Sequence, residues 1–183
     1  MRVLVACEFS GVVRDAFRAR GHDAWSCDLL PSEGDSRWHI QSDVLTPGIL
    51  TDGWDLLIAH PPCTLLARAG ARWWKGREAE QARALAFVRA LMAAPIPRIA
   101  VENPPGKVGT AIRSADQYIQ PWQFGQQTGL WLKGLPLLKP TAVVAGRAPR
   151  VHYAAPGPDR WKTRSRTLPG IAAAMAEQWG NPP

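Results

Sequence analysis

The sequence predicts an α/β fold, with an open and mostly parallel sheet that carries helices on both faces. The first observation is the alternation of short apolar runs with segments of helical periodicity over residues 1–115. The second is the run WDLLIA at 54–59, whose continuous apolar character is typical of a strand buried on both faces. The third is the length of 183 residues, which predicts a single domain over residues 1–183.

Short apolar runs predict the strands of this sheet. The four convincing ones are RVLVA (2–6), HDAWSC (22–27), WDLLIA (54–59) and RIAV (98–101). GLWLKGL (129–135) and TAVVA (141–145) are further strand candidates, which we expect to be antiparallel. The polar stretch SEGDSRWHIQ (32–41) is predicted to be a loop, because it is rich in turn-forming residues.

Three segments have the periodicity of helices. The first places Val13, Ala16, Phe17 and Arg20 at helical spacing and ends at Gly21. The strongest is 78–94, which presents apolar residues on one face and polar ones opposite, and the last runs from about 170 to 179. The stretch 146–163 is rich in proline, glycine and basic residues and is predicted to be a loop.

Residues with distinctive chemistry follow the predicted strand ends. They are Glu8 to Gly11, Asp28, Asp43 on its loop, Cys63, and Glu102 with Asn103. In open α/β sheets, ligands bind outside the carboxyl ends of the strands. We therefore expect these residues to form a site at one edge of the sheet.

The turn Phe9-Ser10-Gly11, together with Asp28, indicates a nucleoside-containing cofactor. A small residue and a glycine between strand and helix let a ligand approach the backbone, and the helix N-terminus offers free amides. Asp28 at the next strand end is placed to accept bonds from a ribose diol. No Gly-x-Gly-x-x-Gly is present, so an adenosine without a pyrophosphate fits better. The alternative is a purely structural turn.

Cys63 and Glu102 form a candidate pair of nucleophile and acid. Cys63 follows a strand and two prolines, which restrict the backbone that presents the thiol. Glu102 ends another strand and could protonate a ring nitrogen. The alternatives are a buried cysteine acting as a small apolar side chain and a turn that Asn103 caps. Cys7 and Cys27, inside apolar runs, are assigned to the buried class.

Composition favours an anionic partner and excludes a membrane protein. The net charge is +7, and six basic residues between 147 and 166 face a single acid, Asp159. A solvated arginine-rich surface is the alternative explanation. Apolar runs are shorter than the roughly 20 residues of a membrane helix, and the N-terminus lacks a secretory signal, so we expect a cytoplasmic protein. The scattered histidines and cysteines predict no metal site.

These motifs resemble, in order, those of the DNA cytosine carbon-5 methyltransferase family, most closely its short phage and prophage forms. The resemblance implies a Rossmann-like sheet that binds S-adenosylmethionine, and a bacterial host cytoplasm if the gene belongs to a phage. Pro61-Pro62-Cys63 is similar to the nucleophile motif and Glu102-Asn103 to the Glu-Asn motif. The cofactor residues implied are Glu8, Phe9, Ser10, Gly11, Asp28, Leu29, Asp43, Val44 and Pro61.

The resemblance also implies a mechanism. The Cys63 thiolate would add to carbon 6 of cytosine while Glu102 engages ring nitrogen 3, and carbon 5 would then accept the methyl group. The cytosine must be flipped out of a duplex or already single-stranded. The catalytic residues implied are Cys63, Glu102, Asn103, Arg164 and Arg166. The substrate contacts that we expect are Pro62 of the nucleophile motif and, from the aromatic and basic cluster that follows it, Arg68, Arg72 and Trp73. The partner is DNA, and the sequence leaves the oligomeric state open.

The C-terminal half departs from the family. Residues 119–166, which we assign to substrate-contacting basic loops, are too few for a target-recognition domain, so we expect short or relaxed sequence specificity. Phe124 to Gln127 stand where a Gln-x-Arg-x-Arg motif belongs but lack its arginines, whereas 162–166 has that spacing with lysine for glutamine. A C-terminal helix over about 168–180 resembles the family's final helix.

Four alternatives stay open. Asn103-Pro104-Pro105-Gly106 resembles the motif of amino-group methyltransferases, although Gly106 cannot stack on a base. The same chemistry could act on RNA or a free nucleotide, or the protein could bind DNA without catalysis. The tryptophans and basic residues of 64–77 either stack bases and bind phosphate or pack a core beneath a solvated face. Under the first interpretation, 64–77 is a mobile loop that closes over the base.

Overall fold

The described residues fold around one seven-stranded sheet. The computed structural model describes residues 1–119, 128–141, 157 and 160–181, with the side chains of Thr163 and Arg164 left outside that description. The strand order is β3-β2-β1-β4-β5-β7-β6. Strands β1 to β5 are parallel, while β7 runs antiparallel to both β5 and β6. This is the predicted Rossmann-like α/β sheet, and the fold prediction is confirmed.

The strands are short, and those at the centre of the sheet are more buried than those at its two edges. In chain order they are β1 (Arg2–Ala6), β2 (Asp23–Asp28), β3 (His39–Gln41), β4 (Leu56–Ala59), β5 (Arg98–Asn103), β6 (Gln117–Ile119) and β7 (Thr128–Lys133). The helices are α1 (Val12–Arg18), α2 (Glu78–Met92), α3 (Lys107–Ala111), α4 (Arg160–Ser165) and α5 (Pro169–Trp179). Short 3-10 helices cover Ser36–Trp38, Ile49–Thr51 and Arg68–Trp73.

Two apolar layers cover the sheet, one on each face. Alternate strand residues such as Val5 and Ile58 pack with α1 and α5, while Leu57 and Val101 pack with α2 on the other face. Because β1 and β4 at the centre of the sheet are buried on both faces, residues 3–6 and 56–59 are apolar without interruption, as the run at 54–59 predicts. The carboxyl ends of β1, β2, β4 and β5 therefore meet at one edge of the sheet.

Several elements differ from the sequence-based expectations. Strand β3 lies inside the predicted polar loop 32–41, and it forms because three residues extend the sheet beside Ser26 to Asp28. Helix α4 begins inside the predicted loop 146–163. Strand β6 and helix α3 were not predicted, whereas the antiparallel strand over 129–135 and the C-terminal helix are found. The strand candidate TAVVA (141–145) lies almost entirely outside the described residues.

No helix in the described part of the chain is both long enough and apolar enough to cross a membrane.

Candidate functional site

The first cleft at the carboxyl edge of the sheet has a volume of about 300 Å³, and it is called the cofactor cleft because several predicted cofactor residues line it. Its lining residues come from the ends of β1 and β2, the loop after β3, the turn after β4 and one face of α2: Cys7, Cys27, Asp28, Leu29, Ser42, Asp43, Val44, Pro62, Ala84 and Phe87. Four of the predicted cofactor residues, Asp28, Leu29, Asp43 and Val44, thus line one cavity. Two carboxylates among apolar walls suit a flat base and a ribose.

The two acids of the cofactor cleft are held by their own turns. Asp28 Oδ1 accepts a hydrogen bond from Leu30 N at 2.9 Å, and Asp43 Oδ1 accepts one from Leu45 N at 2.9 Å. Each carboxylate is therefore fixed in orientation while retaining further acceptor capacity for a ligand. Leu29 is 70% exposed at the rim, where an apolar side chain can cover a bound base.

The turn at 8–11 has a structural role that the sequence did not indicate. Glu8 is buried, and its carboxylate accepts hydrogen bonds from Val13 N at 2.6 Å and Arg14 N at 3.2 Å. The expectation that α1 offers free amides to a cofactor is therefore wrong for these two groups, since Glu8 already caps them. Gly11 adopts φ 74°, a left-handed conformation that favours glycine, as the turn enters the helix.

The turn also lies against the C-terminal part of the chain. Phe9 is buried, and its ring lies 5.8 Å from that of Trp161 in α4. Of the predicted cofactor residues in this turn, Ser10 is half-buried and its Oγ accepts a hydrogen bond from Val12 N at 3.5 Å. Pro61 is buried after β4.

Cys7 differs from the expectation of an inert buried cysteine. Cys27 is fully buried and donates its thiol to Ser42 O at 3.4 Å, and burial raises the pKa of this thiol to about 11. Cys7 is only partly buried, lines the cofactor cleft and has φ 59°, which is strained for a residue with a side chain. Burial raises the pKa of the Cys7 thiol as well, so neither group is a thiolate at neutral pH.

A second cleft is lined by both Cys63 and Glu102, and it is called the catalytic cleft because the sequence predicts catalytic roles for these two residues. It has a volume of about 100 Å³ and adjoins the cofactor cleft at Pro62, which lines both. Its other lining residues are His60, Pro61, Cys63, Glu102, Asn103, Pro104, Thr128, Ser165, Arg166, Thr167 and Ile171. Cys63, which follows β4, and Glu102, which lies in β5, line the same cleft because these two strands are neighbours in the sheet.

Glu102 is held by two side chains that the sequence did not single out. His60 Nδ1 lies 3.2 Å from Oε2, and the Thr128 hydroxyl donates to Oε1. The Glu102 side chain is 20% exposed, so it combines fixed orientation with access from the cleft. A carboxylate has about four acceptor positions, and these two contacts leave others for a ligand.

Asn103 and the backbone of its loop hold the segment that carries Cys63. The Asn103 side chain is fully buried and donates to Pro61 O at 2.9 Å, which makes it a positioning residue for the Pro-Pro turn. Arg68 N donates to Pro105 O at 2.9 Å, and Lys107 N donates to Leu66 O at 2.8 Å. The two loops of the catalytic cleft are thus joined as a single unit.

Gly106 permits this joining, which explains why the Asn-Pro-Pro motif ends in a glycine. A Cβ at position 106 would overlap Leu66 O and lie 2.8 Å from Arg68 N, both backbone atoms. We expect Gly106→Ala to destabilise the protein by about 1–3 kcal/mol, because the loops must move apart. Urea denaturation measures this, with Gly109→Ala as the control, since its Cβ would meet Tyr118 Oη at an ordinary 3.5 Å. If both variants unfold at the same urea concentration, the close backbone approach at Gly106 does not contribute to stability.

The basic and aromatic cluster lies beside the catalytic cleft. Arg68, Arg72 and Trp73 are exposed on the 3-10 helix that follows Cys63, and they are not among the residues that line the cleft. The Arg72 guanidinium lies 5.0 Å from the Trp73 ring centre, and Lys107 Nζ lies 5.4 Å from that of Trp74. Of the substrate contacts implied by the sequence, the structure therefore places Pro62 in the cleft and the others on the adjoining surface.

Arg166 reaches the catalytic cleft from the C-terminal segment. Its guanidinium also forms a two-pronged ion pair with Glu33, at 2.8 and 3.0 Å. The two side chains are 45% and 32% exposed, so this ion pair contributes at most about 1 kcal/mol to the stability of the fold. A phosphate or a base could therefore replace Glu33 as the partner of Arg166. Arg164 lies in α4, and its side chain is outside the described residues, as are residues 120–127.

Sequence reasoning missed His60 and Thr128. His60 directly precedes Pro-Pro-Cys at the end of a buried strand, and that position was the available signal. No local signal identifies Thr128, because only the antiparallel pairing of β7 with β5 places it beside Glu102. Within the described ranges, no group of three or more metal-binding side chains is present.

No family model and no curated protein matches the sequence. Among solved structures, one similar chain is described as a candidate DNA modification methyltransferase encoded within a prophage (E. coli), with 17% sequence identity and a TM-score of 0.46. The alignment covers 85% of this chain and 55% of the other, so this chain spans about half the length of that neighbour.

Proposed function

We propose that the protein is an S-adenosylmethionine-dependent DNA cytosine carbon-5 methyltransferase. The observation that supports this most strongly is the position of Cys63 and Glu102 in one cleft, with the cofactor cleft sharing a wall with it at Pro62. A nucleophile and an acid on the same small cavity are what addition to a pyrimidine ring requires. A protein that only binds DNA has no need of this arrangement.

The cofactor cleft fits the adenosine part of S-adenosylmethionine. Asp28 would accept hydrogen bonds from the ribose hydroxyls, while Leu29, Val44 and Phe87 would enclose the adenine and Asp43 would bind its amino group. When bound, this cofactor supplies the methyl group that carbon 5 of the cytosine takes up. The absence of a pyrophosphate-binding glycine motif agrees with a cofactor that has no phosphates.

The residues of the catalytic cleft would perform the remaining chemistry. The Cys63 thiolate forms a bond to carbon 6, and the displaced electron pair moves through the ring to nitrogen 3, which takes a proton from Glu102. After carbon 5 is methylated it loses its proton to solvent, and the thiolate leaves as the C5–C6 double bond is restored. Asn103 acts indirectly, since its bond to Pro61 O holds the turn before Cys63.

DNA is the proposed substrate because of the charge around the cleft. The chain carries a net charge of +7, and exposed Arg68, Arg72 and Lys75 lie just after the nucleophile. Trp73 is 65% exposed among them and offers a surface on which an unpaired base can stack. Binding to DNA should therefore weaken steeply as salt concentration rises.

Incubation with cofactor labelled on its methyl group tests the proposal. DNA substrate is digested to nucleosides after the reaction, and we expect label in 5-methyldeoxycytidine. Parallel reactions contain single-stranded DNA, RNA and deoxycytidine monophosphate in place of duplex DNA. Label in N4-methylcytosine or N6-methyladenine would overturn the carbon-5 assignment, and label only in RNA or free nucleotide would overturn the choice of DNA.

A second prediction concerns Asp28. We expect Asp28→Ala to weaken cofactor binding about tenfold to a hundredfold, because a charge-assisted hydrogen bond contributes about 1.5–3 kcal/mol. Saturating cofactor should raise the melting temperature of the native protein and raise that of the variant much less. Asp52→Ala is the matched control, since Asp52 pairs with Arg2 at the opposite end of the sheet. Equal cofactor-dependent stabilisation of all three proteins would contradict this role.

A further inference from the structure

His60 is a titratable side chain of the catalytic cleft that has no role in the proposed reaction. It follows β4 immediately, and its side chain is only 9% exposed. Nδ1 lies 3.2 Å from Glu102 Oε2. Nε2 is buried and has no hydrogen-bond partner among the described residues. A buried imidazole with one nitrogen on a carboxylate and the other unpaired is costly to maintain, which indicates a role beyond packing.

The charges around His60 favour its protonated form. Burial by itself lowers the pKa of His60, but the hydrogen bond to Glu102, the charge of Glu102 and the charge of Glu8 together outweigh it and raise the pKa. The other charged or titratable groups of this region are Arg14, which acts on Glu8, and Arg166 and Cys63, which line the same cleft. The imidazole therefore has two carboxylates nearby, one from the turn after β1 and one from β5.

We propose that His60 is a positioning residue which fixes Glu102 through Nδ1 and supplies the proton that Glu102 passes to ring nitrogen 3. This inference rests on the proposed function. The His60 and Glu102 pair holds one proton between Nδ1 and Oε2. As the Cys63 thiolate bonds to carbon 6, nitrogen 3 takes that proton through Glu102, which leaves a neutral imidazole and a carboxylate. When the thiolate leaves, nitrogen 3 returns the proton and the imidazole recovers it.

The hydrogen bond from Thr128 determines which Glu102 oxygen shares the proton with His60. Thr128 donates to Oε1, so that oxygen is held as an acceptor. Oε2 faces His60, which lines the same cleft. A carboxylate held from two sides can transfer a proton without first reorienting, and this fixed geometry lowers the entropic part of the activation barrier. Thr128 and His60 thus contact Glu102 from the two strands that flank β5, which are β7 and β4.

Single-turnover methylation rates across pH, in native protein and two variants, test the inference. His60→Asn places an amide donor near the position of Nδ1 but carries no titrating proton, whereas His60→Ala removes both. We expect rates about tenfold to a hundredfold lower in His60→Asn and lower still in His60→Ala, with the binding constant for DNA little changed. The native rate should decline on the alkaline side, where His60 loses its proton, and this decline should be absent from His60→Asn.

The matched control is His22→Gln, at the opposite end of the sheet, where β2 begins. It should keep the native rate and pH profile. If the native protein methylates cytosine and His60→Asn keeps both the rate and the alkaline decline, the inference is overturned while the proposed function stands. If the native protein produces no methylcytosine, both are overturned.

A titration of the folded native protein tests the contact independently of activity. Nitrogen-15 NMR of labelled histidine follows the ring nitrogens of His60, assigned by their loss in His60→Asn. In the native protein, the pKa of His60 should lie above that of free imidazole, and Glu102→Gln should lower it. An unchanged pKa of His60 in Glu102→Gln would overturn the pairing, whatever the activity measurements give.

Discussion

Replacing Cys63 by alanine is expected to lower methylcytosine formation at least about a thousandfold, since the reaction loses its nucleophile. The ring carbon that must be activated is otherwise unreactive, and no other thiol among the described residues lines the catalytic cleft. Cys63→Ser should be nearly as inactive, because a neutral hydroxyl is a much weaker nucleophile than a thiolate. Labelled methyl transfer to DNA measures both variants.

Cofactor-dependent thermal stabilisation serves as the folding control for the Cys63 variants. Cys63 does not line the cofactor cleft, so the increase in melting temperature on adding cofactor should be the same in native and variant proteins. Preserved cofactor stabilisation with lost transfer would assign the defect to chemistry. A Cys63→Ala protein that still methylates carbon 5 would exclude the thiolate mechanism.

Glu102→Gln is expected to lower the methylation rate about a hundredfold to ten-thousandfold, the range typical of a lost general acid. The amide has nearly the shape of the carboxyl and can still hydrogen-bond a ring nitrogen, but it cannot give up a proton. The loss should therefore appear in the single-turnover rate, while DNA affinity changes little. Rapid-quench measurement with saturating DNA separates these two quantities.

Glu177→Gln is the matched control for this substitution, because Glu177 lies on α5 and forms an exposed ion pair with Arg20. Its methylation rate should equal that of the native protein. Should Glu102→Gln weaken DNA binding and leave the single-turnover rate intact, Glu102 would be a binding residue and the proposed proton transfer would be wrong.

The central strands of the sheet could be predicted because they are buried on both faces and bounded by polar turns. RVLVA is apolar after Arg2 and WDLLIA is apolar except for Asp55, and their edges coincide with β1 and β4 within two residues. Strand β3 could not be predicted in this way, since HIQ is three residues long and gains its stability from pairing with β2. Pairing between distant segments leaves no periodic pattern in the sequence of a strand this short.

The candidate site was partly predictable for a related reason. Residues that follow parallel strands must gather at one sheet edge, so Asp28, Cys63 and Glu102 could be expected near one another from the sequence alone. The contacts of Glu102 could not, because they depend on the register between β5 and β7 and on the direction of the His60 side chain. The capping of α1 by Glu8 was missed because the acid precedes the helix by four residues, outside the usual cap position.

We expect the Cys63 sulfur to bond to a cytosine ring beside bound cofactor, and a trapped adduct tests this bond most directly. DNA containing 5-fluorocytosine should stall the reaction, because fluorine on carbon 5 cannot depart as a cation and the thiolate then cannot leave. After incubation with this DNA and S-adenosylmethionine, mass spectrometry of the digested protein should find a methylated fluorocytosine attached to the peptide that contains Cys63. If the protein methylates ordinary DNA but forms no adduct with the fluorinated DNA, the Cys63 mechanism is wrong. An adduct on Cys7 or Cys27 would likewise exclude Cys63 as the nucleophile.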